Sequence, residues 1–199
     1  DGLKECRQEG HELILTSGRK LESDLTILAI GVLPENTLAK EAGLELGFKG
    51  GIKVDAQMRT SQADIFAIGD VIEVVDAVTG GATNIPLAWP ANRQGRLVAD
   101  VINGLEAVYQ GTQGTAVAKV FELTAASTGN NERQLKGLGL DYQAIHIHPN
   151  SHAGYYPGAS PIALKLLFAP DGKIYGAQAI GTEGVEKRID VIATAMRFG

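Results

Sequence analysis

Asp70 follows Ile65-Phe66-Ala67-Ile68-Gly69 directly, at the point where an apolar run gives way to a charge. A carboxylate at the carboxyl end of a buried strand is costly unless something polar meets it. Ligands of α/β proteins sit outside such strand ends. Ala67 and Gly69 carry almost no side chain, so a large ligand can lie close to the backbone there. Asp70 can then accept hydrogen bonds from ligand hydroxyls, such as those of a sugar or ribitol chain. As a turn residue or a helix cap the same aspartate would serve only the local backbone, and spacing alone does not separate these roles.

Other reactive side chains form weaker patterns. His146 and His148 alternate, so a strand would place both on one face. Only Asp141 stands near them as a further ligand type, and a solvated edge strand accounts for the pair better than a metal site. Ser151 and His152 have no orienting acid beside them, which argues against a hydrolase. Cys6 is the single cysteine. It cannot form an internal disulfide, a CxxC pair or a cysteine-based zinc site, and its polar neighbours suggest an ordinary surface thiol. Lys187, Arg188 and Asp190 read as a solvated or interface helix face.

The elements that would position these groups follow from periodicity and turn residues. Residues 25–36 read as a buried strand ending at Gly31, broken by Pro34. Residues 37–46 read as a short helix capped by Thr37 and stopped near Gly43. "IKVD" and "IFAIG" within 50–70 read as two strands. Residues 90–103 read as a helix with Pro90 in its first turn and Leu97, Val98, Val101 and Ile102 on one apolar face. The texture changes at 104–115, where a domain boundary is expected. Beyond it come a strand at 117–123, a helix at 131–139, a strand at 142–148, and a hairpin at 162–181 turning at Pro170-Asp171-Gly172. A final helix at 184–199 lines up Val185, Ile189, Ile192, Ala193 and Met196.

The 199 residues carry a net charge of −5 with 44% hydrophobic and 21% charged residues, as in an ordinary soluble protein. That balance gives no electrostatic case for nucleic acid. The run "LTILAIGVL" is too short to span a bilayer. No basic start followed by an apolar block opens the chain, and a cytoplasmic location with no membrane partner is expected.

Three stretches together carry a resemblance. "TSQADIFAIGD" (60–70) resembles the second flavin-binding motif of flavoproteins with two dinucleotide-binding domains. "AIGVLPEN" (29–36) resembles the connecting motif by which their chain returns from the NAD(P)H domain to the FAD domain, with one residue inserted before Asn36. "IPLAWPANRQGR" (85–96) resembles the helix that points its amino end at the flavin ring. "VFELTAASTG" (120–129), "SHAGYYPGA" (151–159) and "GAQAIGTEGVEKRIDVIATA" (176–195) resemble the dimerisation domain of the pyridine nucleotide-disulfide oxidoreductases. The closest likeness is to the branch of coenzyme A-disulfide reductases, NADH-dependent persulfide reductases and NADH oxidases.

The resemblance implies an α/β remnant of FAD- and NAD(P)H-binding domains followed by an α+β dimerisation domain. The boundaries it suggests are 1–33 for the tail of the NAD(P)H domain, 34–113 for the end of the FAD domain and 114–199 for the dimerisation domain. It implies FAD contacts at Gly31, Ala67, Gly69, Asp70, Leu87, Ala88, Pro90 and Ala91, and a substrate contact at Asn92. Tyr155 or Tyr156 would reach the partner subunit's active site in a homodimer and donate a hydrogen bond to sulfur. Relatives carry a redox cysteine and glycine-rich fingerprints near the amino end. Cys6 does not match that cysteine, and no G-x-G-x-x-G occurs here. The chain is therefore expected to be part of a longer enzyme that uses NAD(P)H to reduce coenzyme A disulfide or a persulfide, and to be inactive alone. The alternatives are an NADH oxidase or peroxidase of the same family, and a non-catalytic dimerisation module.

Overall fold

The computed structural model describes residues 2–7 and 12–198. It divides into two compact units, Asp1–Val32 and Leu33–Gly199.

In the first unit β1 (Leu3–Arg7), β2 (Glu12–Leu15) and β3 (Lys20–Glu22) form an antiparallel meander in that order. Leu13 pairs with Cys6 on one side and Leu21 on the other. Lys20 reaches Glu12 at 3.1 Å across the second pair. The buried strand expected at 25–31 does not form: Leu25, Ile27 and Ile30 are 79%, 81% and 83% exposed, and no ladder pairs them. An apolar run of this kind becomes a strand only when a neighbour completes its hydrogen bonds and both faces are covered. No described residue does either.

The second unit begins with a short helix, α1 (Thr37–Glu41). Its cap is Asn36 rather than Thr37, and the Asn36 side chain turns away to donate to the Gly50 carbonyl at 2.7 Å. Thr37 instead donates its N–H and hydroxyl to Glu35, which holds that carboxyl below its usual range. The expected strands in 50–70 reduce to single bridges, Ile52 to Ile72 and Arg59 to Phe66. Asp55 explains why: its carboxylate accepts from Gln57 and Arg59 at 2.8 and 2.9 Å, so the chain turns instead of extending. The strands β4 (Val74–Val75) and β5 (Ala82–Thr83) make a short hairpin. The helix α2 (Ala88–Ile102) packs Leu97 and Val101 into a core with Ala39, Ile52, Met58, Ile72 and Val74. Val98 joins them, but Ile102, expected on the same face, is 65% exposed.

The rest of this unit is a five-stranded antiparallel sheet. Its strands are β6 (Ala116–Val120), β7 (Leu123–Gly129), β8 (Gln143–Ile147), β9 (Ile162–Phe168) and β10 (Ile174–Gly181), in the spatial order β6-β7-β10-β9-β8. The single strand expected at 117–123 is in fact a reversal: Val120 pairs with Leu123, and Phe121 takes φ +49° at the corner. The hairpin turns at Pro170-Asp171-Gly172 as expected, with Gly172 at φ +92°. A reciprocal capping box between Asn131 and Gln134 starts α3 (Glu132–Gly137). The last helix, α4 (Val185–Phe198), lays Val185 and Ile189 onto Ala126, Ile162, Leu164, Ala177 and Ala179. Each fully buried aliphatic side chain of this kind stabilises by about 1.5–3 kcal/mol. Gly199 lies outside the described residues.

Polar contacts, one of them fully buried, fasten the sheet to the segment before it. Asn130 donates to Asp76 at 2.8 Å, and both are under a tenth exposed. Gln113 donates to Thr128 at 2.9 Å and to the Ala193 carbonyl at 3.0 Å. Lys173 donates to the Val78 carbonyl at 2.9 Å.

Candidate functional site

The apolar run ending at Phe66-Ala67-Ile68 is brought to α2 by burial of Phe66 and Ala67 against the core. Ala67 donates its N–H to the Met58 carbonyl at 3.1 Å. The chain then turns sharply in one 3-10 turn, Gly69–Val71, and this replaces the strand end expected before Asp70. Gly69 takes φ +81°, a conformation that L side chains resist. A Cβ built there would stand 3.7 Å from the Ala91 Cβ, so turn and helix are in van der Waals reach. Asp70 is exposed, and among the described residues its carboxylate has no hydrogen-bond or ionic partner.

The residue that holds turn and helix together is Gln94, which the sequence reading passed over. It is only 1% exposed, and its Oε1 accepts the Gly69 N–H at 2.8 Å. A glutamine inside an amphipathic stretch gives no period signal. Its place one turn beyond Pro90, on the buried side beside Leu97, was the available hint.

The amino end of α2 is open. Leu87 is the cap residue with extended backbone, and no side chain caps the helix. Pro90 has no N–H and the Ala91 N–H donates to the Leu87 carbonyl at 3.3 Å, so the free first-turn donors are those of Ala88 and Trp89, with the positive end of the helix dipole behind them. Ala88 is exposed, while Leu87, Pro90 and Ala91 are half-buried. Asn92 is exposed and donates back to the Ala88 carbonyl at 3.3 Å. Trp89 is 79% exposed and, with Pro90, Arg93, Asp190, Arg197 and Phe198, lines a groove of about 570 Å³.

Unfilled donors at one helix end, an unpartnered acidic acceptor and a glycine corner without a side chain suit an elongated, hydroxyl-bearing, electron-rich ligand such as a flavin nucleotide. The second unit thus brings the Gly69 corner, flanked by Ala67 and Asp70, against Ala91 of α2, with Leu87, Ala88 and Pro90 at the head of the same helix. Gly31 belongs to the first unit, where it is exposed at φ +84°.

Tyr155 and Tyr156 stand elsewhere in the second unit, on the loop between β8 and β9. They are 85% and 63% exposed, with ring centroids 5.2 Å apart. The tip is folded by a Tyr156 N–H to Ala153 carbonyl bond of 3.0 Å, and His152 meets Tyr156 edge-on at 6.4 Å. His146 and His148 do share a sheet face, where they line a shallow apolar groove with Ala118, Ala163 and Ile180. Among the described residues no cluster of three or more His, Cys, Asp or Glu side chains is placed to hold a metal ion. Cys6 is exposed on β1. No described helix is long and apolar enough to cross a membrane.

Comparison with known proteins gives the family. Residues 2–95 match the pyridine nucleotide-disulphide oxidoreductase family, and residues 115–199 match the dimerisation domain of the same family. A coenzyme A disulfide reductase of Staphylococcus epidermidis is 36% identical over 189 residues, which cover 94% of this chain and 43% of that protein. The reduced CoADR-RHD of Bacillus anthracis superposes with a TM-score of 0.90 at 55% identity, covering 99% of this chain and 36% of that one. A NAD-dependent persulfide reductase from A. fulgidus superposes with a TM-score of 0.87 at 41% identity, covering 94% and 35%. This chain therefore spans less than half the length of the relatives it matches. From its open α2 terminus and glycine-aspartate corner to its five-stranded sheet, the chain belongs to the pyridine nucleotide-disulphide oxidoreductase family.

Proposed function

We propose that this chain is the flavin-facing and dimer-forming part of an FAD- and NAD(P)H-dependent reductase whose substrate is coenzyme A disulfide or a related persulfide. One observation carries the reading: the uncapped start of α2 and the unpartnered Asp70 are locked side by side through Gln94. In this reading residues 34–113 close the FAD-binding domain, 114–199 form the dimerisation domain and 1–33 are the tail of the NAD(P)H domain.

Asp70 accepts from a ribitol hydroxyl of the cofactor, and the Gly69 corner lets it approach the backbone. The free N–H groups at the head of α2 offset negative charge at the pyrimidine end of the ring, with Pro90 and Ala91 nearest to it. Ala67, Leu87 and Ala88 shape the surrounding wall, and Gly31 allows the chain to cross from one nucleotide domain to the other. When bound, FAD supplies the relay of two electrons between NAD(P)H and sulfur. Asn92 releases the Ala88 carbonyl to hold the pantetheine arm. Tyr155 or Tyr156, carried into the partner subunit's site, donates its phenolic proton to the thiolate that leaves as a disulfide is reduced. The similarity to a coenzyme A disulfide reductase and to a persulfide reductase supports this substrate class, and a cytoplasmic homodimer accords with it.

The experiment is NADH and NADPH oxidation by the full-length protein, followed separately with coenzyme A disulfide, a coenzyme A persulfide and oxygen. Reduction of the coenzyme A substrates well above the oxygen rate is expected. Equal or faster oxidation with oxygen alone would replace this reading by an NADH oxidase.

A further inference from the structure

The tip of the tyrosine loop, residues 152–158, is exposed throughout, so packing does not aim its two rings. The direction of the tip is set at the stems. There the chain is tightly tied: Ile162 N–H donates to the Pro149 carbonyl and Ser151 N–H to the Ser160 carbonyl, both at 2.8 Å. Ser160 N–H donates to the Ser151 hydroxyl at 3.2 Å. These bonds join the stems to each other, and among the described residues two side chains hydrogen-bond them to the elements behind. Thr182, just past β10, donates to the Ser160 hydroxyl at 2.8 Å. Arg188 donates from one guanidinium nitrogen to the carbonyls of Asn150 and Ser151 at 3.3 and 3.5 Å.

Arg188 is the better lever. It stands on α4 between Val185 and Ile189, which are 0% and 1% exposed, so its Cα is fixed to the sheet. One of its guanidinium nitrogens bridges two consecutive carbonyls and so ties both ends of the peptide between them to α4. We propose that Arg188 is a positioning residue for the tyrosine pair, setting the angle at which Tyr155 and Tyr156 leave the sheet toward a partner's active site. This inference rests on the role given above to those tyrosines. The sequence alone placed Arg188 on a solvated or interface face.

The test compares Arg188→Ala and Arg188→Lys in the full-length protein with the wild type, and repeats Arg188→Ala in a Tyr155→Phe/Tyr156→Phe background. Chymotryptic cleavage after Tyr155, the bond after Tyr156 being blocked by Pro157, should quicken about tenfold in Arg188→Ala, since losing charge-assisted bonds frees the stem. Arg188→Lys, which can still reach one carbonyl, should fall between. In the same variants kcat with coenzyme A disulfide should drop several-fold at little change in KM for NADH. In the double-phenylalanine background the drop from Arg188→Ala should vanish. Unchanged cleavage, or an equal drop in that background, overturns the positioning role while leaving the tyrosines theirs. Full turnover by the double-phenylalanine protein overturns the tyrosine reading itself, and the positioning role with it.

Discussion

Gln94 Oε1 accepts the backbone N–H of Gly69 at 2.8 Å from a position that is 1% exposed. One side chain thereby fixes the head of α2 against the corner that presents Asp70. Gln94→Leu keeps the volume but leaves a buried N–H without an acceptor, at a cost of about 1–3 kcal/mol. Urea unfolding should show that loss. Flavin release on gel filtration should accompany it, because the two halves of the site no longer keep their spacing.

Asp70→Ala should separate binding from folding. The side chain is exposed and bonds to nothing among the described residues, so unfolding free energy should move by no more than about 0.5 kcal/mol. Loss of a charged acceptor for a ligand hydroxyl should weaken FAD binding by about tenfold or more. Fluorescence titration of the apoprotein with FAD measures it, and unchanged affinity would remove Asp70 from the site.

Asn130→Ala tests the joint between the sheet and the segment before it. The change leaves the Asp76 carboxylate buried without its side-chain donor, which should cost about 2–4 kcal/mol. Asp76 keeps a backbone donor, Val78 N–H at 2.8 Å. Denaturation followed at Trp89 and by far-ultraviolet dichroism should therefore still be cooperative, at a lower urea midpoint.

Glu132 predicts an acid limb. The Lys165 ammonium, and then the Tyr142 hydroxyl at 2.9 Å, hold its carboxyl below the usual carboxylate range. A lowered folded value means that the unfolded chain takes up the proton first. The contribution is thus complete above the usual value of about 4.3 and fades as pH falls through the folded one. Urea midpoints measured below about pH 5 should fall less steeply for Glu132→Gln than for the wild type.

Legibility in the sequence followed the source of each element's stability. The hairpin at Pro170-Asp171-Gly172 and the helix led by Val185 were readable because turn chemistry and one apolar stripe determine them locally. The strand expected at 25–31 was not, because an apolar run needs neighbours that periodicity does not supply. The reversal at Phe121 was missed because a bulky aromatic at positive φ carries no turn signature. At the proposed site, Asp70, Pro90 and Ala91 were singled out through the motif resemblance. Gln94 and Arg188 were not, since each hydrogen-bonds segments distant in the chain, with no pattern around it.

The Asp76–Asn130 pair also bears on how such a protein can be recombined. The two residues lie on opposite sides of the 104–115 stretch, the obvious place to splice one relative's carboxyl-terminal domain onto another. A crossover there would take Asn130 and Asp76 from different parents, so that each buried group would depend on what the other parent carries opposite it. Chimeras cut before residue 76 would inherit the pair intact, so the heritable module is longer than the sheet that defines it.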